Sequence, residues 1–456
     1  MNKKKVILLN PPADELYLRD YYCSKVSKSN YVYPPVDLVV LSGILNAEFE
    51  LVVIDAIVRR LSDSECLDII DKAKADALIF LTGAVSRNND FAFMRLVKER
   101  SNIPLIGTGD LFLEEQDKFF KNEEWLDGII MDFTDLSSVI YRDNLVVFTG
   151  FKKQASAEFS IPVPRHDLFM DKRYSYPFVR RMPFATVLTD YACPFKCKFC
   201  LSATLKYKYR SVDNVMDELL FLNSSGFRDI YFADQTFGAN KKRTLELCER
   251  MKALKRKFGW VCFSRVDITD EEFISAMKEA GCHTIIYGIE SGNDKILESL
   301  GKGIKREQII KAFGLCKKYK ISTVGTFILG FPEENESDIR ETVKFAKEIG
   351  CDYASFNVLV PRARTEIKES LKESGTVDMK SIEEMDQSGS YTVLGTKYLT
   401  KEEVKRLRDQ AIRDFFYRPS YLAKRALEIR SFWDIKRLFG GGFSLLKEKT
   451  NQDVKK

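Results

Sequence analysis

The stretch Cys193-Pro194-Phe195-Lys196-Cys197-Lys198-Phe199-Cys200 holds three cysteines at Cys-x3-Cys-x2-Cys spacing, directly after a predicted strand, Ala185–Thr189. Thiolates are soft ligands that select zinc or iron–sulfur clusters. Structural zinc takes four ligands, and no fourth Cys and no His lies near this loop. The triplet therefore favours a [4Fe–4S] cluster with one iron open to substrate or cofactor. Two alternatives remain: incidental core cysteines, or a zinc site completed by a distant Cys.

Strands and helices are predicted to alternate from this first strand onward. The predicted strands are Ala185–Thr189, Asp229–Ala233, Trp260–Ser264, Thr284–Ile289, Ser322–Leu329 and Tyr353–Leu359. The predicted helices are Val212–Ser224, Lys241–Lys257, Asp270–Ala280, Lys305–Tyr319 and Glu336–Glu348. Six βα units are fewer than the eight of a closed TIM barrel, which usually needs about 250 residues. The pattern indicates a partial (β/α)6 barrel of the TIM type, with its chemistry on the loops after the strands.

A similar alternation of predicted strands and helices lies N-terminal to the predicted barrel. The predicted strands there are Lys5–Leu9, Glu50–Ile54, Ala77–Leu81, Pro104–Gly107 and Gly128–Met131. The predicted helices are Val36–Asn46, Asp63–Lys74, Asp90–Arg100 and Leu113–Lys121. This spacing predicts a Rossmann-like parallel sheet with helices on both faces, which binds its ligand at the carboxyl ends of the strands.

The whole chain is thus expected to be an α/β protein in four parts. They are a Rossmann-like domain over residues 1–150, a linker over 151–182, the partial barrel over 183–372 and a helical C-terminal region over 373–456. In the last part, Thr400–Phe416 and Tyr421–Leu438 are predicted helices.

Composition narrows the class of protein. Apolar residues make up 45% and charged residues 30% of the 456 residues, as in soluble globular proteins. Ten cysteines are too sparse for a disulfide framework, and no signal peptide or apolar run of about 20 residues is visible, so a cytoplasmic protein is expected. The two histidines, His166 and His283, argue against His-rich metal sites and Ser-His-Asp chemistry.

The cysteine loop at the end of the first barrel strand resembles the cluster loop of the radical S-adenosylmethionine (SAM) superfamily. Four later segments also resemble that family in order and spacing: Tyr231–Phe237, Phe263–Asp267, Tyr287–Gly292 and Gly325–Glu333. The resemblance implies that Cys193, Cys197 and Cys200 hold a [4Fe–4S] cluster. It also implies SAM contacts by Phe199, Asp234, Arg265, Glu290, Ser291, Ile328 and Gly330.

Distinct roles follow from the resemblance for three of these residues. Asp234 is expected to face the SAM amino group, Arg265 the SAM carboxylate, and Glu290 the ribose and methionine. Each feature has a simpler interpretation by itself, such as an N-cap for the Asp or a surface ion pair for the Arg. Their shared position at strand ends facing one barrel mouth favours the common site.

The N-terminal part resembles the cobalamin-binding domain that precedes many radical SAM enzymes. The matching segments are Val6–Pro12 and Tyr33–Leu38, and Phe415–Leu422 resembles the tail of that subgroup. The nearest patterns are those of hopanoid-biosynthesis radical SAM proteins and anaerobic magnesium-protoporphyrin ester cyclases. The resemblance implies cobalamin contacts by Asn10, Pro11, Pro12, Thr82, Gly107, Thr108 and Gly109. The segment Asp55–Arg59 lacks the His of Asp-x-His-x-x-Gly, which argues against a protein imidazole on cobalt.

The expected activity is reductive cleavage of SAM to a 5′-deoxyadenosyl radical that abstracts hydrogen from a small molecule. Methylation with cobalamin, or C–C or C–O bond formation, on a lipid-like or natural-product substrate would follow. The alternatives are a cobalamin-independent radical cyclase or rearrangement enzyme, and an iron–sulfur electron carrier or redox sensor. An external electron donor such as flavodoxin or ferredoxin is expected, and no nucleic acid.

The C-terminal region carries the positive charge of the chain. Residues 401–456 hold 15 Lys/Arg against 8 Asp/Glu, whereas the net charge of the whole chain is +6. Basic residues interleaved with aromatic ones can lie on an anionic membrane surface. A peripheral membrane contact through this tail is therefore one expectation, and packing of its aromatic side chains on the barrel is the other.

Overall fold

The computed structural model describes the chain except for residues 1–2, 21–23, 26–30, 114–115, 144, 152–155, 375–385, 388–393 and 429–456. The strands are β1 Lys5–Asn10, β2 Tyr17–Leu18, β3 Ser24–Lys25, β4 Glu50–Asp55, β5 Ala77–Leu81, β6 Leu105–Thr108, β7 Gly128–Ile130, β8 Val139–Tyr141, β9 Glu158–Phe159, β10 Phe184–Val187, β11 Asp190–Tyr191, β12 Lys208–Arg210, β13 Asp229–Phe232, β14 Gly259–Ser264, β15 Cys282–Glu290, β16 Ser322–Leu329 and β17 Tyr353–Val358.

Helices follow most of the longer strands. They are α1 Val36–Asn46, α2 Ala56–Arg59, α3 Asp63–Ala73, α4 Arg87–Arg100, α5 Gln116–Asn122, α6 Val212–Ser224, α7 Lys241–Lys252, α8 Glu271–Glu279, α9 Asp294–Ser299, α10 Arg306–Lys318, α11 Glu336–Glu348, α12 Glu366–Glu373, α13 Lys401–Phe416 and α14 Pro419–Glu428. Side-chain caps start several of them, such as the capping box of Ser62 and Glu65 on α3 and that of Thr400 and Glu403 on α13.

The first sheet has the strand order β4-β1-β5-β6-β7-β8 and is parallel except for the antiparallel edge strand β8. The order reverses between β1 and β5, which makes the carboxyl ends of these two strands the expected ligand position. Strand β5 is buried along its whole length because helices cover both faces of the sheet.

The second sheet has the order β10-β13-β14-β15-β16-β17, and all its strands are parallel. Neighbours in the chain are neighbours in the sheet, as in a TIM barrel, and β10 and β17 stay unpaired with each other among these fully described strands. The partial (β/α)6 barrel is therefore confirmed.

Side chains alternate across the wall of this barrel. On β13, Ile230 and Phe232 pack outward with the helices, whereas Tyr231 belongs to the apolar cluster on the lumen side. That cluster also contains Tyr33 and Tyr176, whose rings lie 5.1 and 4.5 Å from the ring of Tyr231. Segments from the N-terminal part and from the predicted linker thus fill the open side of the barrel.

Two ion pairs connect the first sheet to the barrel part of the chain. Lys208, the first residue of β12 after the cysteine loop, donates to Asp132 at 2.5 Å and to Thr134 at 2.6 Å. Arg362, in the loop after β17, lies 3.4 Å from Asp110, which follows β6. Because both acidic partners follow strands of the first sheet, the carboxyl edge of that sheet faces the mouth of the barrel.

The predicted long strands and helices are present, with ends that differ by a few residues. Only the helix predicted over Lys241–Lys257 is clearly shorter, since α7 ends at Lys252. Strand β7 matches the predicted strand Gly128–Met131, whereas the helices α2, α9 and α12 and the other two- and three-residue strands were not predicted, because such short segments carry little periodicity. The domain limits themselves stay a prediction.

The predicted helix Tyr421–Leu438 is described only as far as α14 reaches, and most of the basic tail lies outside the described residues. In the described part, Phe415 is buried and Arg418 stacks on its ring at 4.1 Å. Packing of these aromatic residues on the barrel is thus observed for α13. None of the helices that the structure describes is long and apolar enough to cross a bilayer.

Replacing Gly109 by Ala should destabilise the first sheet strongly. Gly109 has a φ of +139°, and a Cβ there would lie 1.8 Å from the carbonyl oxygen of Thr82. We expect Gly109→Ala to lower the free energy of unfolding by about 2–5 kcal/mol, measured by denaturant titration.

Gly226→Ala is the matched control, because Gly226 also has a positive φ, of +85°, but open space around its Cβ position. Gly226→Ala should lower the free energy of unfolding by only about 1–2 kcal/mol, which is the cost of a Cβ in a left-handed backbone conformation. Equal losses in the two variants would contradict the close approach of Gly109 to Thr82.

Candidate functional site

The cysteine loop lies at the carboxyl end of β10, at the mouth of the barrel. Cys193 and Cys197 are buried and Cys200 is half-buried. The loop is anchored by its backbone, since the Lys198 N–H donates to the Leu300 carbonyl at 3.0 Å. The Cys193 Sγ also lies 3.4 Å from the hydroxyl of Thr236. The three thiols therefore sit on a short segment that neighbouring barrel loops hold in place.

Arg265, at the end of β14, lies directly against this loop. Its Nη1 is 3.5 Å from the Sγ of Cys197, and its guanidinium stacks on the ring of Phe195 at 3.9 Å. Asp267 fixes the guanidinium through two hydrogen bonds of 3.0 Å each. Arg265 is thus a buried cation beside a predicted cluster ligand, which is a more specific position than a surface ion pair.

A second buried cation, Lys302, was not predicted. Its Nζ donates to the Oε1 of Glu290 at 2.7 Å, and both side chains are less than a tenth exposed. Burial raises the pKa of the Cys197 thiol, while Lys302 and Arg265 act in the opposite direction. The two cations therefore favour the thiolate form that a metal cluster requires.

The backbone is shaped to place this ion pair. Glu290 has a φ of +67°, and the register of β15 against β16 shifts between Gly288 and Glu290, so a bulge directs the carboxylate toward the mouth. Lys302 lies between Gly301 and Gly303, which both have positive φ values. A sequence signal for Lys302 was therefore present in its glycine flanks, because such glycines mark a loop with an unusual path.

Asp234, by contrast, already has protein partners for both carboxylate oxygens. It accepts hydrogen bonds from the backbone N–H groups of Thr189 and Asp190, at 2.6 and 2.9 Å, and from the Thr189 hydroxyl at 2.6 Å. Asp190 beneath it pairs with Arg243. Burial raises the pKa of both aspartates. Asp234 therefore supports the strand end that carries the cysteine loop, and its contact with the SAM amino group stays a prediction.

The other predicted SAM contacts fall into two groups. Ser291 is completely buried, and its hydroxyl lies 3.1 Å from that of Thr342 on α11. Phe199 and Ile328 pack together with Phe331 in a small apolar cluster beside the cysteine loop, where the rings of Phe199 and Phe331 are 5.8 Å apart. The apolar group is suited to a flat ring system, whereas the Ser291 side chain faces a helix.

Gly330 ends β16 in a left-handed conformation that Glu334 holds. The Oε2 of Glu334 accepts from the N–H groups of Gly330 and Phe331, at 2.8 and 3.0 Å. Its Oε1 has no hydrogen-bond partner within the described part of the chain, and the side chain is completely buried. Burial raises the pKa of Glu334 to about 8, so the carboxyl is protonated at neutral pH.

The residues predicted to contact cobalamin lie together at the carboxyl edge of the first sheet, after β1, β5 and β6. Their polar groups are engaged within the protein: Arg19 donates to Asn10 at 2.8 Å and to the Pro11 carbonyl at 3.1 Å, and Asn89 donates to the Pro12 carbonyl at 2.8 Å. Thr82 donates to Asp90 at 2.8 Å.

The glycines of this edge are equally enclosed. A Cβ on Gly107 would lie 2.4 Å from the ring of Phe112, so its small size serves internal packing. The carbonyl of Thr108 accepts from the Thr82 N–H at 2.9 Å. Together with Gly109, these residues occupy the predicted edge, but their contacts to cobalamin stay a prediction.

Among the described residues, no group of three or more His, Cys, Asp or Glu side chains is arranged to hold one metal ion. In an iron–sulfur cluster each thiolate binds a different iron, so the thiols need not converge on one point. The donor set of the cysteine loop, with two cations beside it, fits such a cluster.

A family model for the radical SAM superfamily matches residues 188–346. The chain is also 30% identical to the uncharacterized methyltransferase PH0819 of Pyrococcus horikoshii, over 97% of this chain and 98% of the relative. A bacteriochlorophyllide d C-12(1)-methyltransferase of Chlorobaculum tepidum is 28% identical over 41% of this chain and 42% of its own length. The chain belongs to the radical SAM superfamily and is a radical SAM enzyme.

Solved structures show the same fold. The methyltransferase TsrM of Kitasatospora setae, solved with cobalamin and a [4Fe–4S] cluster bound, superimposes with a TM-score of 0.65 at 16% identity, over 99% of this chain and all of the other. The cobalamin-dependent enzyme OxsB, with aqua-cobalamin and SAM bound, gives 0.66 at 15% identity, over 97% and 72%. The two-sheet architecture is therefore that of known cobalamin-dependent radical SAM enzymes.

The buried carboxyl of Glu334 should make stability depend on pH. Its folded pKa of about 8 lies above the ordinary value of 4.5, so the folded state binds the proton more tightly than the unfolded state. The stabilisation that the protonated Glu334 carboxyl gives the folded state is complete below about pH 4.5, and it is lost as the pH rises through 8. We expect wild type to lose stability between pH 5 and pH 8 relative to Glu334→Gln, by a few kcal/mol.

Denaturant titrations of both proteins at several pH values provide the measurement. Glu333→Gln is the control, since Glu333 is the exposed neighbour, and it should follow wild type. A stability difference between wild type and Glu334→Gln that stays constant from pH 5 to pH 8 would contradict a neutral Glu334.

Proposed function

We propose that this enzyme cleaves SAM reductively at the barrel mouth and methylates a small molecule with the help of cobalamin. The observation that carries the proposal is the cysteine loop at the end of the first barrel strand, with Arg265 and Lys302 buried against it. A carrier or redox sensor would not need two buried cations and a buried Glu at an open barrel mouth. The methyltransferase names of the two relatives support methylation as the outcome.

Cys193, Cys197 and Cys200 would hold the [4Fe–4S] cluster. When bound, the cluster supplies the electron that cleaves the carbon–sulfur bond of SAM, and the resulting 5′-deoxyadenosyl radical abstracts hydrogen. Arg265 and Lys302 place positive charge beside Cys197, which offsets the negative charge of three thiolates in a buried site. Charge and hydrogen bonding around the sulfurs also tune the reduction potential of such clusters.

SAM has an ammonium, a carboxylate and an adenine ring to be oriented. Glu290 is the buried carboxylate at the mouth that can accept from the ammonium or ribose hydroxyls, and Arg265 is the guanidinium suited to the carboxylate. Phe199, Ile328 and Gly330 offer an apolar surface and a backbone edge for the adenine. Lys302 holds the Glu290 carboxylate in position through their 2.7 Å contact.

Cobalamin would lie between the carboxyl edge of the first sheet and the barrel mouth, and when bound it would pass to the substrate a methyl group that it takes from a second molecule of SAM. The support is the position of that edge, which Arg362 and Lys208 hold against the barrel. The side chains of Asn10 and Thr82 and the carbonyl of Pro11 already have hydrogen-bond partners within the protein. Other groups of this edge would therefore contact the corrin ring of cobalamin. The cytoplasmic location and a flavodoxin or ferredoxin donor stay predictions.

Cyclisation without methyl transfer is the second candidate. An anaerobic magnesium-protoporphyrin IX monomethyl ester cyclase of Rubrivivax gelatinosus is 28% identical, but over 42% of this chain and 34% of its own length. That match covers less of the chain than the full-length methyltransferase relative, so we favour methylation. Incubation with methyl-labelled SAM distinguishes the two outcomes, because only methylation transfers the label to product.

Removal of any thiolate should abolish the cluster. Single variants Cys193→Ala, Cys197→Ala and Cys200→Ala, reconstituted anaerobically with iron and sulfide, should lose the brown chromophore and form no 5′-deoxyadenosine from SAM with dithionite. Cys351→Ala is the control, because Cys351 is equally buried in the barrel wall. A cysteine-loop variant with full iron content and full cleavage would refute the assignment.

Neutralising Glu290 should weaken SAM binding. Loss of one charge-assisted contact costs about 1.5–3 kcal/mol, so Glu290→Gln should raise the Kd for SAM roughly 10- to 150-fold while iron content stays normal. The measurement is equilibrium dialysis with labelled SAM on the reconstituted protein. Glu298→Gln on the exposed side of α9 is the control, and an unchanged Kd in Glu290→Gln would contradict the placement of SAM.

A further inference from the structure

A positively charged surface covers the outside of the cysteine loop. Residues 192–207, between β11 and β12, contain three lysines and no Asp or Glu, and residues 300–305, between α9 and α10, contain two lysines and no Asp or Glu. Lys196 and Lys198, which flank Cys197 in the chain, are both exposed. Because the tail over residues 401–456 holds the positive excess of the chain, the rest is close to neutral and this concentration of charge is local.

Contacts between the two loops and α12 join this surface into one face. The Lys198 N–H donates to the Leu300 carbonyl at 3.0 Å, and the Lys198 carbonyl accepts from the N–H of Ile367, in the first turn of α12, at 3.4 Å. A Cβ on Gly301 would lie 3.3 Å from the carbonyl oxygen of Lys196. Gly301 is exposed and adds no side chain to the face, so another protein can approach the backbone closely there.

The exposed lysines of this face have little acidic compensation. Glu366 lies 4.0 Å from the ammonium of Lys198, and these two side chains are 73% and 44% exposed, so the pair is weak. Lys196 makes no ion pair within the described part of the chain. The face therefore presents positive charge to the solvent directly above a predicted cluster ligand.

We propose that the face formed by Lys196, Lys198 and residues 300–305 docks an acidic protein that carries single electrons. The proposed SAM cleavage consumes one electron from outside the enzyme, and a partner seated on this face would hold its redox group close to Cys197. Complementary charge steers such an encounter and orients the two proteins. In the transfer itself the carrier loses one electron and the cluster gains it, and no bond is made or broken.

This inference rests on the proposed function, because it names the partner that supplies the electron to that site. A nucleic acid is the other polyanion that lysines attract. It contacts many phosphates along its length, whereas the charge here is confined to two adjacent loops of a nearly neutral chain. A compact acidic protein fits this distribution better.

The test measures binding of two acidic carriers, oxidised flavodoxin and a plant-type [2Fe–2S] ferredoxin, to the full-length reconstituted protein by biolayer interferometry. Wild type should bind at least one of them, with a Kd that rises as NaCl is added, because salt screens exposed charges. The double variant Lys196→Glu/Lys198→Glu should raise that Kd at least about fivefold. Lys344→Glu/Lys347→Glu, on the exposed side of α11, is the matched control and should bind as wild type does.

A second measurement separates docking from the chemistry of the cluster. The reduced form of the carrier that binds should drive 5′-deoxyadenosine formation at least about fivefold more slowly in Lys196→Glu/Lys198→Glu than in wild type. Excess dithionite should drive both proteins equally, because a small reductant needs no docking face. Lys196→Gln/Lys198→Gln replaces the double variant if charge reversal lowers the iron content, and it should weaken binding in the same direction.

The proposal is overturned if neither carrier binds wild type, if added salt does not weaken binding, or if the lysine variants bind as wild type does. It is also overturned if a short DNA duplex binds as tightly as the carriers, since the face would then attract polyanions in general. Failure of wild type to form 5′-deoxyadenosine with dithionite would instead contradict the proposed function, so the two failures are distinguishable.

Discussion

Compensation of buried charge around the cysteine loop is the constraint on which the rest of the structure depends. As the cluster ligands that we propose, the three cysteines would be thiolates in a loop largely shielded from water and would need positive charge nearby; Arg265 and Lys302 lie where they can provide it. Each cation is in turn held by a carboxylate, Asp267 for the arginine and Glu290 for the lysine. The bulge in β15 places the Glu290 carboxylate, and the positive-φ glycines on either side of Lys302 allow the loop path that brings its ammonium to that carboxylate.

The same constraint explains the layer beneath the loop. Asp190 and Asp234 are both buried at the end of the first barrel strand, and Arg243 pairs with Asp190 while Thr189 satisfies Asp234. This layer fixes where the strand stops and where the cysteine loop begins. These hydrogen bonds and the ion pair favour a preorganised barrel mouth, which reduces the reorganisation that the reaction would otherwise require.

Sequence patterns could predict the strands, the longer helices and the position of the cysteine loop after the first barrel strand, because each of these has a local signature. The lumen-side tyrosines and the two ion pairs between the sheets could not be predicted in that way. Lys208 and Asp132 are 76 residues apart, and Arg362 and Asp110 are 252 apart, so only the folded topology brings them together. Asp234 illustrates the converse case: its position after a strand could be predicted from the sequence, whereas its hydrogen-bond partners depend on the backbone of the neighbouring strand.

Asp37, in the first turn of α1, is buried and differs from other buried carboxylates of the chain. Asp55 accepts from Tyr174, Asn10 and the Val58 N–H, and Asp90 accepts from Arg19, Thr82 and Ser86. The Oδ1 of Asp37, by contrast, has no hydrogen-bond partner among the described residues. Because a buried polar atom without a partner costs free energy, Asp37 destabilises the folded state relative to these other carboxylates.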